Sequence, residues 1–254
     1  MKLAIIVSMA ALFVLTLSFS APAQDNNNNN EIIKWIQPPD MRTGFDQQSQ
    51  WDFTDGEPDV IKADDWICPD GLLVTDIHWW GSYFADEQFE PDAFYVNIYA
   101  NDDRDLIGDP SDDMPGTWLW GVLADFPGTS ETFYGIDSVG EAVYEYSVYL
   151  PEGWEFDQDQ GVKYWLSIVA STPDHGSVPI WGWHTGFEPV GLYGLSSAVT
   201  GKVLMGDDWA RGNPDEWAHE DYNFAFALTT VPEPGTIVLI GGGILALLGL
   251  RRRK

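Results

Sequence analysis

Carboxylates are the commonest reactive groups in this 254-residue chain, which carries 40 Asp and Glu against 12 Lys and Arg. Hard oxygen donors gathered in a loop can coordinate calcium, which extracellular domains meet at concentrations high enough to fill weak sites. The densest gathering is Asn101-Asp102-Asp103-Arg104-Asp105, and Asp157-Gln158-Asp159-Gln160-Gly161 alternates as metal loops do. Asp102, Asp103, Asp105, Asp157 and Asp159 are thus the candidate calcium ligands. Neither loop keeps the twelve-position EF-hand order, and a solvated acidic loop is the competing reading of both. Tryptophan, present in 13 copies, is the other group with chemistry to offer. Sugars stack their apolar faces on indole rings while their hydroxyls bond to nearby carboxylates and amides. In an extended chain Trp118 and Trp120 share a face, as do Trp181 and Trp183, so either pair could form a platform for a glycan. Ordinary core packing is the alternative for all four.

Catalytic signatures are missing from the text. It contains no Gly-x-Ser-x-Gly elbow, no His-Glu-x-x-His and no phosphate-cradling glycine loop. His78, His175, His184 and His219 are scattered, and none pairs recognisably with the lone Cys68. Glycosidase chemistry needs only two carboxylates at a set separation, which leaves a surface hydrolase as the third and least favoured class. The expectation is a non-catalytic chain with no cofactor beyond calcium.

The elements that would position these groups are strands. Ala93 to Ala100 alternates as a half-buried strand, with Phe94, Val96 and Ile98 on one face and Tyr95, Asn97 and Tyr99 on the other. Leu72 to Phe84 reads as a long strand with a bulge at Gly81-Ser82. Trp118 to Phe126, Thr132 to Val139, Ile180 to Thr185, Ala198 to Met205 and Tyr222 to Thr229 read as further strands, and Ile32 to Ile36 as a sheet-edge piece. Val60 to Cys68 is mixed text around Asp64-Asp65-Trp66. Val143 to Leu150 and Val162 to Ala170 straddle a turn-rich loop, which predicts neighbouring antiparallel strands. No helical period with caps intervenes. The fold class is therefore all-β: an antiparallel β-sandwich, specifically a jelly roll, over residues 32–230.

Both ends differ from this middle. Met1 to Ala23 has Lys2, an apolar run from Leu3 to Phe19 and Ala21-Pro22-Ala23, which reads as a secretory signal helix removed by signal peptidase; an uncleaved N-terminal anchor is the alternative. Residues 24–31, with the run Asn26 to Asn30, read as a disordered lead-in. At the other end stand Pro232-Glu233-Pro234, the apolar span 236–250 and then Arg251, Arg252, Arg253 and Lys254. A charge-free run ended by cations is the pattern of a transmembrane helix with a basic stop. The span is short, about 22 Å at the helical rise, against about 30 Å of hydrocarbon, so it crosses with the help of snorkelling or local thinning. Gly241-Gly242-Gly243 offers a second helix close approach.

The order Pro232-Glu233-Pro234, short span, basic end resembles the PEP-CTERM sorting signal of exported bacterial proteins. The resemblance implies cutting near Glu233 by exosortase, a membrane enzyme with a catalytic cysteine, and passage of the body to the cell surface or its exopolysaccharide. A plain membrane anchor is the alternative. Asp64-Asp65-Trp66, Trp79-Trp80-Gly81-Ser82-Tyr83, Tyr164-Trp165-Leu166-Ser167-Ile168 and Trp181-Gly182-Trp183 are similar to phrases of an uncharacterised extracellular domain family that precedes such tails. Removing both ends takes away five basic residues and no acid if the cut follows Glu233, so the body goes from −28 to −33. Such a surface repels nucleic acid and anionic lipid and attracts cations.

Overall fold

The computed structural model describes residues 31–51, 59–84, 91–103, 113–125, 129–172, 180–187, 195–203 and 217–231. The signal segment, the sorting tail with its span, and Asp105 lie outside the described residues. Among the described residues, eleven strands of five residues or more build the body. They are β1 (Ile32–Gln37), β4 (Asp59–Ile67), β5 (Asp76–Tyr83), β6 (Ala93–Asp102), β7 (Met114–Asp125), β8 (Thr129–Ile136), β9 (Ala142–Tyr149), β10 (Lys163–Ser171), β11 (Trp181–Gly186), β12 (Val199–Val203) and β15 (Phe226–Thr230). Shorter pieces fill the gaps: β2 (Asp46–Gln48), β3 (Gln50–Trp51), β13 (Trp217–His219) and β14 (Asn223–Phe224).

These strands form an eight-stranded and a seven-stranded sheet. The spine of the first is β1-β15-β5-β9, with β8 added beyond β9. The spine of the second is β4-β10-β6-β7. Chain order alternates between them as a ribbon folded over twice, which is the jelly-roll path. All pairings are antiparallel except the short parallel contact of β3 with β10. The sequence-based pairing of Val143–Leu150 with Val162–Ala170 does not occur. β9 and β10 lie in opposite sheets, because the loop after Leu150 carries the chain across the sandwich instead of turning it back. Their apolar faces meet in one core, where Tyr146, Val148 and Leu150 share a cluster with Tyr164, Leu166 and Ile168.

Aromatic rings dominate that core. Trp79 stacks on Tyr146 with centroids 5.7 Å apart, and Phe94 meets Trp181 edge-on at 5.0 Å. Each such pair contributes about 0.5–1.5 kcal/mol beyond the area it buries. Gly81 exists for this packing. A Cβ there would fall 2.3 Å from the indole of Trp181 and 2.5 Å from the Gly182 carbonyl, and β5 pairs through Gly81 without a register shift, so no bulge interrupts it. A second apolar layer, with Trp51, Ile61, Tyr99, Trp165, Val169, Val199 and Trp217, covers the other face of the seven-stranded sheet. β6 is thus buried on both faces rather than one.

The mixed text of Val60 to Cys68 proves to be a central strand, and its acids explain why it did not read as one. Asp64 is fully buried between the sheets. Its Oδ2 accepts the Gln37 side-chain amide at 2.8 Å and the Phe224 backbone N–H at 2.5 Å, and its Oδ1 accepts the Asp65 N–H. Gln37 lies on β1 and Phe224 on β14, so this carboxyl on β4 joins one sheet to the other. Burial and the adjacent Asp65 push Asp64 well above the usual carboxylate range, against the pull of its three N–H donors. Asp65 points to the opposite face, where it meets Lys163 at 3.2 Å and the Ser196 N–H at 2.8 Å. Burial raises Asp65 to about 6 even though Lys163 opposes the shift. Alanine at position 64 would leave three donors without an acceptor, at about 1–3 kcal/mol for each donor that water fails to reach. Urea denaturation of the Asp64→Ala protein should therefore show a loss of about 3 kcal/mol or more; a loss below about 1 kcal/mol would mean that the carboxylate does not hold the sheets together.

Candidate functional site

Core strands place alternate residues on the outer face of the eight-stranded sheet. Ile77 and Trp79 of β5 enter the core, so Asp76 and His78 face outward. By the same alternation Trp181 and Trp183 of β11 enter the core and His184 faces out. Two histidine–carboxylate groups result, and among the described residues they are the sets of three donors close enough to share one ion: Glu31, Asp76 and His78, and Asp46, Asp137 and His184.

In the first group Nε2 of His78 lies 2.6 Å from Asp76 Oδ2, and Nδ1 lies 3.0 Å from Glu145 Oε1. Burial alone would depress this imidazole, but bonds to Asp76 and Glu145 outweigh it and push His78 up to about 10. Burial, helped by Glu31, raises Asp76. Glu31 in turn accepts a hydrogen bond from the Tyr149 hydroxyl. With a carboxylate on each ring nitrogen, His78 is an imidazolium held in an ion pair.

The second group is wired differently. Asp46 comes from β2, which pairs with β11 so that Asp46 stands opposite His184. Nδ1 of His184 lies 3.0 Å from Asp46 Oδ1, while Nε2 donates to the Asp40 carbonyl at 3.3 Å. Asp40 opens a tight turn in which its own carboxylate accepts the N–H groups of Arg42 and Thr43, and its carbonyl accepts the Gly44 N–H at 2.9 Å. Gly44 leaves the room for this: a Cβ would fall 2.3 Å from the Asp40 oxygen and 2.8 Å from Nε2. Asp137 sits in the turn between β8 and β9, where Oδ1 accepts three successive N–H groups from Val139, Gly140 and Glu141 at 3.0, 2.9 and 2.9 Å. The left-handed Gly140, φ 93°, closes that turn. The other oxygens, Asp46 Oδ2 and Asp137 Oδ2, are buried without a hydrogen-bond donor. Glu141 stands at the solvent edge, raised by partial burial and by Asp46 against it.

The residues singled out in the sequence fare unevenly. Trp181 and Trp183 are each 0% exposed, and Trp183 is stacked on Phe224 at 4.6 Å, so they cannot present rings to a glycan. Trp118 and Trp120 do not share a face. The β6–β7 register slips so that Ile98 faces Trp120 while Tyr99 faces Trp118, which turns Trp120 to the inner core and Trp118 to the outer layer. Asp102, Asp103, Asp157 and Asp159 are exposed and join neither group of close donors. Pro232, Glu233, Pro234, Arg251, Arg252, Arg253 and Lys254 lie outside the described residues. Sequence reasoning missed Asp46, Asp137 and Glu141 entirely. The signal for Asp137 was present in Asp-Ser-Val-Gly-Glu, a turn with its glycine in place.

Known proteins agree with this layout. A domain of unknown function, DUF7901, matches residues 33–229, which spans the sandwich from β1 to β15. The chain belongs to this family. Residues 230–254 match the PEP-CTERM protein-sorting motif, which marks the DUF7901 body for exosortase-dependent export. No curated protein and no solved structure matches the chain.

The pH dependence of the DUF7901 body has a definite sign. A histidine raised from 6.5 to about 10 adds stability that is complete below pH 6.5 and lost as pH rises through 10. Asp64, Asp65 and Asp76 are raised too, so they also bind protons more tightly when folded and weaken the fold as pH climbs past the carboxylate range. The thermal midpoint should fall from pH 6.5 to 10, and fall less steeply in His78→Gln. Parallel profiles for the two proteins would rule out the imidazolium.

Proposed function

We propose that this is a non-catalytic, exported surface protein, released from its membrane tail by an exosortase-like enzyme and passed to the cell surface or the exopolysaccharide matrix. The observation that carries the reading is the abutment of the two matched regions at residue 230. β15 ends at Thr230 and the Pro-Glu-Pro hinge begins two residues later. Ile32 of β1 pairs with Thr230, so both ends of the body meet at one pole of the sandwich. A body attached at one pole stands off the membrane with its remaining surface free. Signal peptidase would act on the N-terminal segment at that same pole.

Charge supports a role in the matrix. The described lysines with placed side chains are each paired with acids: Lys34 with the exposed Asp70, Lys62 with the half-buried Glu220, and Lys163 with the buried Asp65 and Asp113. The surface is left anionic, which keeps the body soluble and draws cations such as calcium around it. A second reading, a glycan-binding module, draws on Trp154. It is 56% exposed, and its carbonyl accepts the indole N–H of the half-buried Trp120 at 2.9 Å.

Two measurements test these readings. Alanines in place of Pro232-Glu233-Pro234 should leave an uncut, membrane-retained form in cell fractions, and normal release would defeat the sorting reading. On a glycan array the Trp154→Ala protein should lose any signal the parent gives; absence of signal from the parent itself sinks the glycan reading and leaves the first untouched.

A further inference from the structure

We infer that Asp46, Asp137 and His184, with Glu141 at the open side, form a binding site for a divalent first-row metal such as Zn²⁺ or Mn²⁺. The inference goes beyond export and sorting and does not depend on them. Its basis is a pair of buried acceptors with nothing to accept. The Asp46 side chain is 1% exposed and Asp137 is buried, yet Oδ2 of each lacks a donor. A buried carboxylate oxygen without a partner is costly, and Asp46, Asp137 and His184 each bring one ligand atom to within 4.8 Å of the others, an arrangement that calls for a cation between them.

The surroundings supply what a metal site needs beyond its ligands. A metal-bound imidazole uses one nitrogen as a lone pair and donates the other N–H to an acceptor that fixes the tautomer and the ring plane. Here the Asp40 carbonyl takes the Nε2 proton at 3.3 Å, so the neutral ring turns its lone pair, on Nδ1, toward Asp46. Asp137 is orientated equally firmly, since three backbone N–H groups hold Oδ1 and leave Oδ2 pointing away.

The donor set also selects the metal. Calcium takes six to eight oxygens, whereas an imidazole nitrogen beside two or three carboxylates suits zinc or manganese. Binding replaces the proton that otherwise bridges Nδ1 and Asp46, and that proton leaves to solvent. The His78 group is set apart, although Asp76 also has buried oxygens without a donor, because carboxylates lie against both of its ring nitrogens and leave no lone pair for a metal.

The test is calorimetric titration of the full chain in detergent with Zn²⁺ and with Mn²⁺ near neutral pH, beside Asp137→Asn and Glu141→Gln. Asparagine at 137 keeps an oxygen for the three N–H groups and gives Asp46 a donor, so this variant folds, which circular dichroism checks. We expect one equivalent of metal bound by the parent, at least ten-fold weaker binding in Asp137→Asn, a smaller loss in Glu141→Gln, and proton release that scales with buffer ionisation heat. Metal should raise the thermal midpoint of the parent and leave that of Asp137→Asn unmoved. Binding that is absent, or unchanged in folded Asp137→Asn, overturns the site. Calcium bound as tightly as zinc and equally lost in Asp137→Asn overturns the assignment of the metal class.

Discussion

The sandwich depends on a carboxyl group in the one place where hydrophobic reasoning would forbid it. Asp64 stands between the two sheets and gathers the Gln37 amide, the Phe224 N–H and the Asp65 N–H onto its two oxygens. Gln37 carries the network further, since its own oxygen accepts the indole N–H of Trp35 at 3.0 Å and its amide also reaches the Phe224 carbonyl. Apolar packing alone lets two sheets slide, because dispersion contacts have little directionality. A buried acceptor with three fixed donors does not slide. The aromatic core then has a single register in which to pack: Trp66, on the same strand and two residues on, sets its ring against Tyr164, Phe156 and Phe226.

That arrangement decides which parts of the fold could be read from the text. Strands that alternate apolar and polar residues, such as β9, or that place apolar residues on both faces, such as β6 and β10, announce themselves by period. β4 does not, because Lys62, Asp64 and Asp65 are buried polar residues whose partners, the Asp65 N–H on Asp64 apart, lie more than a dozen residues away in sequence. The jelly-roll class was legible, while the pairing of β9 with β10 was misjudged: a loop between two strands says nothing about whether the chain turns back or crosses over. The tryptophan pairs failed for a local reason each. Period-2 alternation placed Trp118 and Trp120 together, and one extra residue, Leu119, in the β6–β7 ladder turned them apart. Trp181 and Trp183 do share a face, and it is the inner one. The histidine groups were illegible because β2, the turn after β8, and β11 meet only through sheet pairing.

Distribution of charge links the fold to its destination. The described lysines with placed side chains, Lys34, Lys62 and Lys163, are themselves buried or half-buried and each is paired with an acid. Burial lowers Lys62, with Glu220 holding it in place. The sorting match supports export of the body, whose two ends lie together where Ile32 and Thr230 stand side by side. The sorting motif follows the last strand directly in sequence, over residues 230–254. Val231 is itself tied down, its N–H donating to Thr75 Oγ1 at 2.8 Å.

The two histidine groups show how the same residue types on the same face of one sheet come to different ends. His78 has Asp76 two residues away on its own strand and Glu145 diagonally across on β9, so carboxylates reach both ring nitrogens and hold the ring as an imidazolium. His184 has a carboxylate on one nitrogen and a backbone carbonyl on the other. A carbonyl does not stabilise a second positive charge as a carboxylate does, and the additional acids, Asp137 and Glu141, approach from a turn instead of a strand. Burial lowers His184, but Asp46, the Asp40 carbonyl and Asp137 raise it overall, so one proton on the imidazole answers only part of their negative charge. Where a sheet supplies both partners an ion pair closes on itself; where a turn supplies extra acceptors around a half-satisfied imidazole, the group is left one cation short.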